Sequence, residues 1–167
     1  ALGGRQVAWT SANPAIASVS SNGVVTAIAP GGPVAITASS EGRTASVAVT
    51  VTPPPRLQLS AVTLDFTGTR GAGDPPAQAI VISNGGGGTL ANLSVGPVSY
   101  GAGGTGWLQL SLPSTLAAPT ATLSVQPAIA ALAPGRYTAT VPVSAPSASN
   151  SPQQVAVTLT VLATPVR

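Results

Sequence analysis

The stretch WTSANPAIASVSSNG, residues 9–23, decides how this chain is read. Trp9 leads into a polar turn at Asn13-Pro14, and "AIASVS" then places Ala17 and Val19 on one side of a short strand. Asn22-Gly23 closes a second turn with the two residue types that best tolerate positive φ. Such a succession belongs to the middle of a β-sandwich, yet it lies close to residue 1. Outward from it, "RQVAWT" (5–10) aligns Val7 with Trp9, and "VVTAIA" (24–29) follows the Asn-Gly turn. After "PGGP" (30–33), "VAITASS" aligns Val34, Ile36 and Ala38. A turn at Glu41-Gly42 leads to "TASVAVTVT" (44–52), which predicts one buried face of Ala45, Val47, Val49 and Val51. Period-two alternation bounded by turns, with no helical period anywhere, predicts an all-β protein.

The prolines of "PPPR" (53–56) donate nothing to a ladder and favour an extended, semi-rigid joint. The expected organisation is a partial module over 1–52, a linker over 53–56 and a complete sandwich over 57–167. In the latter, "LQLSAVTLDFT" (57–67) aligns Val62, Leu64 and Phe66, and "GTRGAGDPP" (68–76) is a turn-rich loop. "QAIVIS" (78–83), "TLANLSVG" (89–96), "GWLQLSL" (106–112) and "TATLSVQ" (120–126) read as further strands. "NGGGG" (84–88) is the most flexible point by composition, since glycine runs carry the most backbone freedom. "APGRYTATVPVS" (133–144) aligns Tyr137, Ala139, Val141 and Val143, and "QQVAVTLTVL" (153–162) aligns Val155, Val157, Leu159 and Val161.

Composition excludes much chemistry. The 167 residues hold no His, Cys or Met, every basic residue is Arg, and the carboxylates are Glu41, Asp65 and Asp74 alone. General acid–base catalysis, activated nucleophiles and zinc sites draw on the missing types, so no catalytic residue, metal site or cofactor is assigned. A Ser without a base is not an activated nucleophile. Calcium needs several converging oxygens, whereas these acids fall in separate turns. The net charge is only +3, spread over arginines at 5, 43, 56, 70, 136 and 167. Nucleic-acid binding requires a clustered basic face, so it is not expected. Mean hydropathy is +0.41, but the longest apolar run, "AIAALA" (128–133), is far short of the roughly 20 residues that span a bilayer. No membrane span is therefore expected.

Residues 5–52, with their Trp-Thr-Ser, Asn-Pro, Asn-Gly and terminal Val-rich strand, resemble a bacterial group 2 immunoglobulin-like domain. Residues 57–162, through "LDF", "VISNGG", "WLQLS" and "PGRYTATVPVS", are similar to BACON-type and related bacterial Ig-like modules. These resemblances imply two tandem immunoglobulin-like β-sandwich modules, extracellular or surface-displayed, with no catalytic residues. A group 2 module normally has one or two more strands before the position of Arg5, so the first module reads as incomplete.

Two functions follow. The first is a structural and adhesive module of an extracellular bacterial assembly, whose partners are its own copies or neighbouring Ig-like modules. If residue 1 begins the ordered chain, the first module's open edge invites a strand from another copy. "QQVAVTLTVL", with Val155, Val157, Leu159 and Val161, or the tail "ATPVR", is the expected donor, and head-to-tail donation builds a filament. The alternative is a carbohydrate-binding accessory module that stacks a polysaccharide on Trp107 and Tyr100 beside the "GAGGTG" loop. Both rings have a competing use in the core, because the chain has only two Trp, two Tyr and one Phe. "NLS" (92–94) matches a glycosylation sequon but falls inside an expected strand.

Overall fold

A computed structural model describes residues 6–101, 103–112 and 120–165. Every regular element among them is a β-strand. The chain divides into two compact units, Ala1–Pro53 and Pro54–Arg167.

The first unit contains β1 (Ala8–Ser11), β2 (Ala17–Val19), β3 (Val25–Ala27), β4 (Gly31–Ser40) and β5 (Arg43–Val51). One antiparallel sheet runs β1-β4-β5, and β2-β3 is a separate hairpin. Asn13 shapes the first turn: its side-chain oxygen accepts from the Ala15 amide, and its carbonyl accepts from the Ile16 and Ala17 amides. Gly23 closes the second turn at φ +81°, donating to the Ser20 carbonyl at 3.0 Å. A Cβ at Gly23 would stand 2.8 Å from the Trp9 ring, so only glycine lets the turn lie on that indole. Glu41 and Gly42 both take positive φ, the two-residue loop whose twist suits an antiparallel hairpin. "PGGP" is only partly a turn: Gly31, Gly32 and Pro33 lie within β4 at a register shift.

The core of this unit is small. Ala17, Val34 and Ile36 are buried, with Trp9, Ile16, Val19, Val49 and Val51 packed around them. The expected buried face of β5 is only half realised. Val49 and Val51 reach the core, but Ala45 is exposed and Val47 is 59% exposed. Val47 lies opposite the buried Ile36 in the β4–β5 ladder, so it points to the core side and finds nothing there.

The second unit has β6 (Leu57–Leu59), β7 (Thr63–Thr69), β8 (Gln78–Asn84), β9 (Ser94–Val95) and β10 (Ser99–Tyr100). β11 (Leu108–Ser111), β12 (Thr120–Pro127), β13 (Gly135–Ser144) and β14 (Gln153–Leu162) complete it. One sheet runs β11-β12-β8-β6 and the other β10-β13-β14-β7, with β9 also on β13. This unit begins in one sheet at β6 and crosses to the other at β7, which pairs parallel to β14. The two inner faces bury a continuous core that includes Leu64, Phe66, Ile80, Ile82, Leu123, Val125, Val141 and Val143. Val62, expected beside Leu64 and Phe66, is instead exposed, and it precedes β7. Its carbonyl accepts from the Ala156 amide at 2.9 Å.

The start of this unit is fastened to its own body. The Pro55 carbonyl accepts from the Ser149 amide at 2.9 Å, and Arg56 N–H donates to Asn84 Oδ1 at 3.0 Å. Residues 54–56, read from the sequence as linker, are thus part of the second unit. Tyr137, near the start of β13, donates its hydroxyl to the Ala133 carbonyl at 2.8 Å. That matches the tyrosine corner of immunoglobulin-type sandwiches.

Candidate functional site

Trp107 and Tyr100 do come together, but not as a sugar platform. Trp107 is 3% exposed, and its ring lies edge-on to both Tyr100 (centroids 5.7 Å apart) and Tyr137 (6.2 Å). The Trp107 carbonyl accepts from the Ala128 amide at 2.7 Å, tying the residue to the segment after β12. Stacking on a sugar needs an open aromatic face, and this indole spends both faces on the core. Its Nε1–H is buried with no partner. A buried donor left unmade costs about 1–3 kcal/mol, so the packing around the ring must offset it.

The carboxylates do not converge. Asp74 Oδ1 accepts from the Ile129 amide at 2.7 Å, which pins the 68–76 loop to the segment after β12. Asp65 is exposed on β7, and its carbonyl accepts from Gln78 Nε2 at 2.8 Å. Among the described residues no three His, Cys, Asp or Glu side chains are placed to hold a metal.

The glycine run is held rather than loose. Asn84 Oδ1 accepts from the Arg56 and Gly86 amides, both at 3.0 Å, while Nδ2 reaches the Gly87 and Gly88 carbonyls at 3.2 and 3.1 Å. Gly86 packs so closely on the Pro54 carbonyl that no side chain fits there. The expectation of a flexible point overlooked this asparagine. Asn92 of the sequon is exposed at φ +54° just before β9, not inside a strand.

The strand expected to be donated is the least available in the second unit. β14 pairs with β13 on one edge and β7 on the other, and Val155, Val157, Leu159 and Val161 are all buried. Extracting it would expose the core and break two ladders. This corrects the sequence reading, in which alternation alone suggested a free strand.

What remains open is the sheet of the first unit. Among the described residues β5 pairs only with β4, and most of its nine residues are exposed. Next to it, Val7, Ala38, Ser40, Arg43 and Ala45 line a shallow depression of about 500 Å³. On the facing hairpin, Val25 opposes the core residue Val19, yet it is 39% exposed. Both layers therefore present core-side apolar residues that this unit leaves uncovered. Ser39, Glu41 and Thr44 line the same depression, so its rim is polar while its floor offers apolar contact.

The two sheets of the second unit, with its first strand split between them and its tyrosine corner, define an immunoglobulin-like β-sandwich. Residues 3–51, in the first unit, match the family model of the bacterial Ig-like domain (group 2). No curated protein matches the chain. Among solved structures, the S-layer protein rSbsC(31-844) is similar at 19% identity, over 97% of this chain and 21% of that one, with a TM-score of 0.45. Protocadherin gamma C5 EC1-3 is similar at 10% identity, over 95% of this chain and 55% of that one, with a TM-score of 0.49. An endo-fucoidan hydrolase from glycoside hydrolase family 107 is similar at 12% identity, over 97% and 24%, with a TM-score of 0.39. The chain thus spans less than two thirds of each of these proteins.

Proposed function

We propose that this chain is a structural and adhesive stretch of immunoglobulin-like modules in an extracellular or cell-surface bacterial assembly. It associates with its own copies or with neighbouring modules, and it is not an enzyme. The observation that carries this reading is the open sheet of the first unit, where a long edge strand and uncovered apolar residues lie together. An exposed edge offers a row of backbone donors and acceptors to another strand. The match of residues 3–51 to a bacterial Ig-like family supports the setting. The inventory of side chains supports the absence of catalysis, because His and Cys are missing and the acids are few.

Joining subunits by strand pairing is the finer part of the proposal. With β14 locked in its own sandwich, the pairing surface is assigned to the first unit. Sedimentation of the full chain over a range of concentrations tests the reading. Association that grows with concentration is expected. A chain that remains monomeric up to the millimolar range overturns it. The polysaccharide alternative has no exposed indole in its favour at Trp107, and a glycan array with the same protein separates the two readings.

A further inference from the structure

We propose that the second unit carries tension: force along the chain shears its parallel β7–β14 ladder lengthwise instead of peeling it from one end. This rests on the structural role proposed above, and its test does not depend on whether the chain self-associates.

The first argument is direction. Force that separates two strands at the same end breaks their rungs one after another. Force that pulls opposite ends along the strand axis loads every rung at once. Topology decides which applies. β7 is the first strand of its sheet in chain order and β14 the last, and the two run parallel through seven register pairs, from Thr63 opposite Ala156 to Thr69 opposite Leu162. In a hairpin, the free ends of the two strands emerge side by side. Here the start of β7 and the end of β14 lie at opposite ends of the ladder, about 20 Å apart at roughly 3.3 Å per residue. Force that enters before Thr63 and leaves after Leu162 therefore drags the strands past one another.

The second argument is that the ladder is closed at both ends. At one end, the Ala156 amide donates to the Val62 carbonyl at 2.9 Å. At the other, Arg70 N–H donates to the Leu162 carbonyl at 2.9 Å, and the Thr164 hydroxyl donates to the Arg70 carbonyl at 2.8 Å. The alternation that these rungs fix turns the amides of Leu64, Phe66 and Gly68 toward β14 as well. Slippage is costly in the core too. Leu64 and Phe66 on β7, and Val157, Leu159 and Val161 on β14, are buried, and a one-residue slip would carry the apolar set of β7 off the core face. On its other edge β14 is held by nine register pairs to β13, so the β7 ladder is the one that yields.

The third argument is how the chain enters the unit. Pro53, Pro54 and Pro55 favour an extended, stiff segment with little slack to absorb a pull. The backbone groups that follow are all held by the second unit. The Pro55 carbonyl accepts from the Ser149 amide at 2.9 Å, Arg56 N–H donates to Asn84 Oδ1 at 3.0 Å, and the Arg56 carbonyl accepts from the Gly85 amide at 2.9 Å. Leu57 N–H donates to Asn150 Oδ1 at 2.8 Å, and Asn150 Nδ2 donates to the Leu57 carbonyl at 2.9 Å. A joint that only tethered two modules would need none of these bonds. They fix the point at which tension enters, and the three residues of β6 then lead it to the start of β7.

The chain has no cysteine, so two introduced thiols define where handles attach to the full-length protein. Thr52→Cys combined with Ala163→Cys loads the second unit along its chain. Ala72→Cys combined with Ala163→Cys pulls apart the adjoining ends of β7 and β14. All three positions are exposed, and a melting temperature like the parent's checks that each double variant folds. In an optical trap at one loading rate, the unfolding force is expected to be severalfold higher for the 52/163 pair than for the 72/163 pair. Both pairs open the same native unit, so a difference in stability does not account for that ratio. Equal forces in the two directions, or a higher force for the 72/163 pair, overturn the proposal. Either result leaves the self-association reading standing, because sedimentation of the wild-type chain tests that separately.

Discussion

Replacing Trp107 tests whether the indole is a structural member or a binding surface. The ring is 3% exposed and packs edge-on to Tyr100 and Tyr137. Trp107→Ala removes those contacts and leaves a cavity, for which the expected cost is about 3–5 kcal/mol. At roughly 4 °C per kcal/mol for a domain of this size, the melting temperature of the second unit falls by about 12–20 °C. Trp107→Phe separates packing from the buried donor. It gives up part of the ring but also removes an Nε1–H that has no partner, a group whose burial costs about 1–3 kcal/mol. The phenylalanine variant is therefore expected within about 1.5 kcal/mol of the parent. Urea unfolding followed by far-ultraviolet circular dichroism measures both, with an unchanged m value as the sign that only stability moved. If Trp107→Ala unfolds like the parent, the ring is not part of the core. If it then also loses binding to a polysaccharide, the carbohydrate reading takes over.

Other outcomes follow from the same contacts. Asn84→Ala deletes the side chain that holds three backbone groups of the glycine loop and the Arg56 amide. A loss of about 2–4 kcal/mol is expected, with faster hydrogen exchange at 86–88, and unchanged exchange there would refute the loop's dependence on it. Residues 54–167 expressed alone should melt cooperatively, whereas 1–53, with three buried core residues among those described, should not. A sharp melt of the shorter piece contradicts this. Millimolar calcium should leave the melting temperature in place, because the described acids do not cluster. A site with a dissociation constant of about 10 µM would add about 2.7 kcal/mol at 1 mM and reveal itself as a clear rise.

Local alternation made the strands legible, and turn chemistry made their ends legible. Asn13, Gly23 and Gly42 act in the structure as their residue types suggest, whereas Glu41 takes a positive φ that its type does not favour. Alternation did not reveal which alternating strand would be covered. β5 and β14 have the same pattern of small β-branched residues, yet one is mostly exposed and the other buried. What differs is the number of strands beside and across from each, a property of topology that no window of sequence contains. That is why the sequence offers 153–162 as a donor for the first unit's open edge, whereas the structure pairs β14 on both sides. Trp107 posed a similar difficulty, since a glycine-rich approach fits an exposed platform as well as a tight entry into the core. The pinned glycine run was readable in principle: an asparagine placed directly before the glycines can hydrogen-bond the loop that follows it.

The central claim is that one unit closes on itself while the other keeps an open edge for a partner. Amide hydrogen exchange on the full chain, at low and at high protein concentration, tests it most directly. The account expects β14 to be strongly protected at both concentrations. It expects the outward amides of β5 to exchange freely when dilute and to gain protection as concentration rises. Protection of β5 that is already complete in the dilute monomer, or that never appears at any concentration, would contradict it.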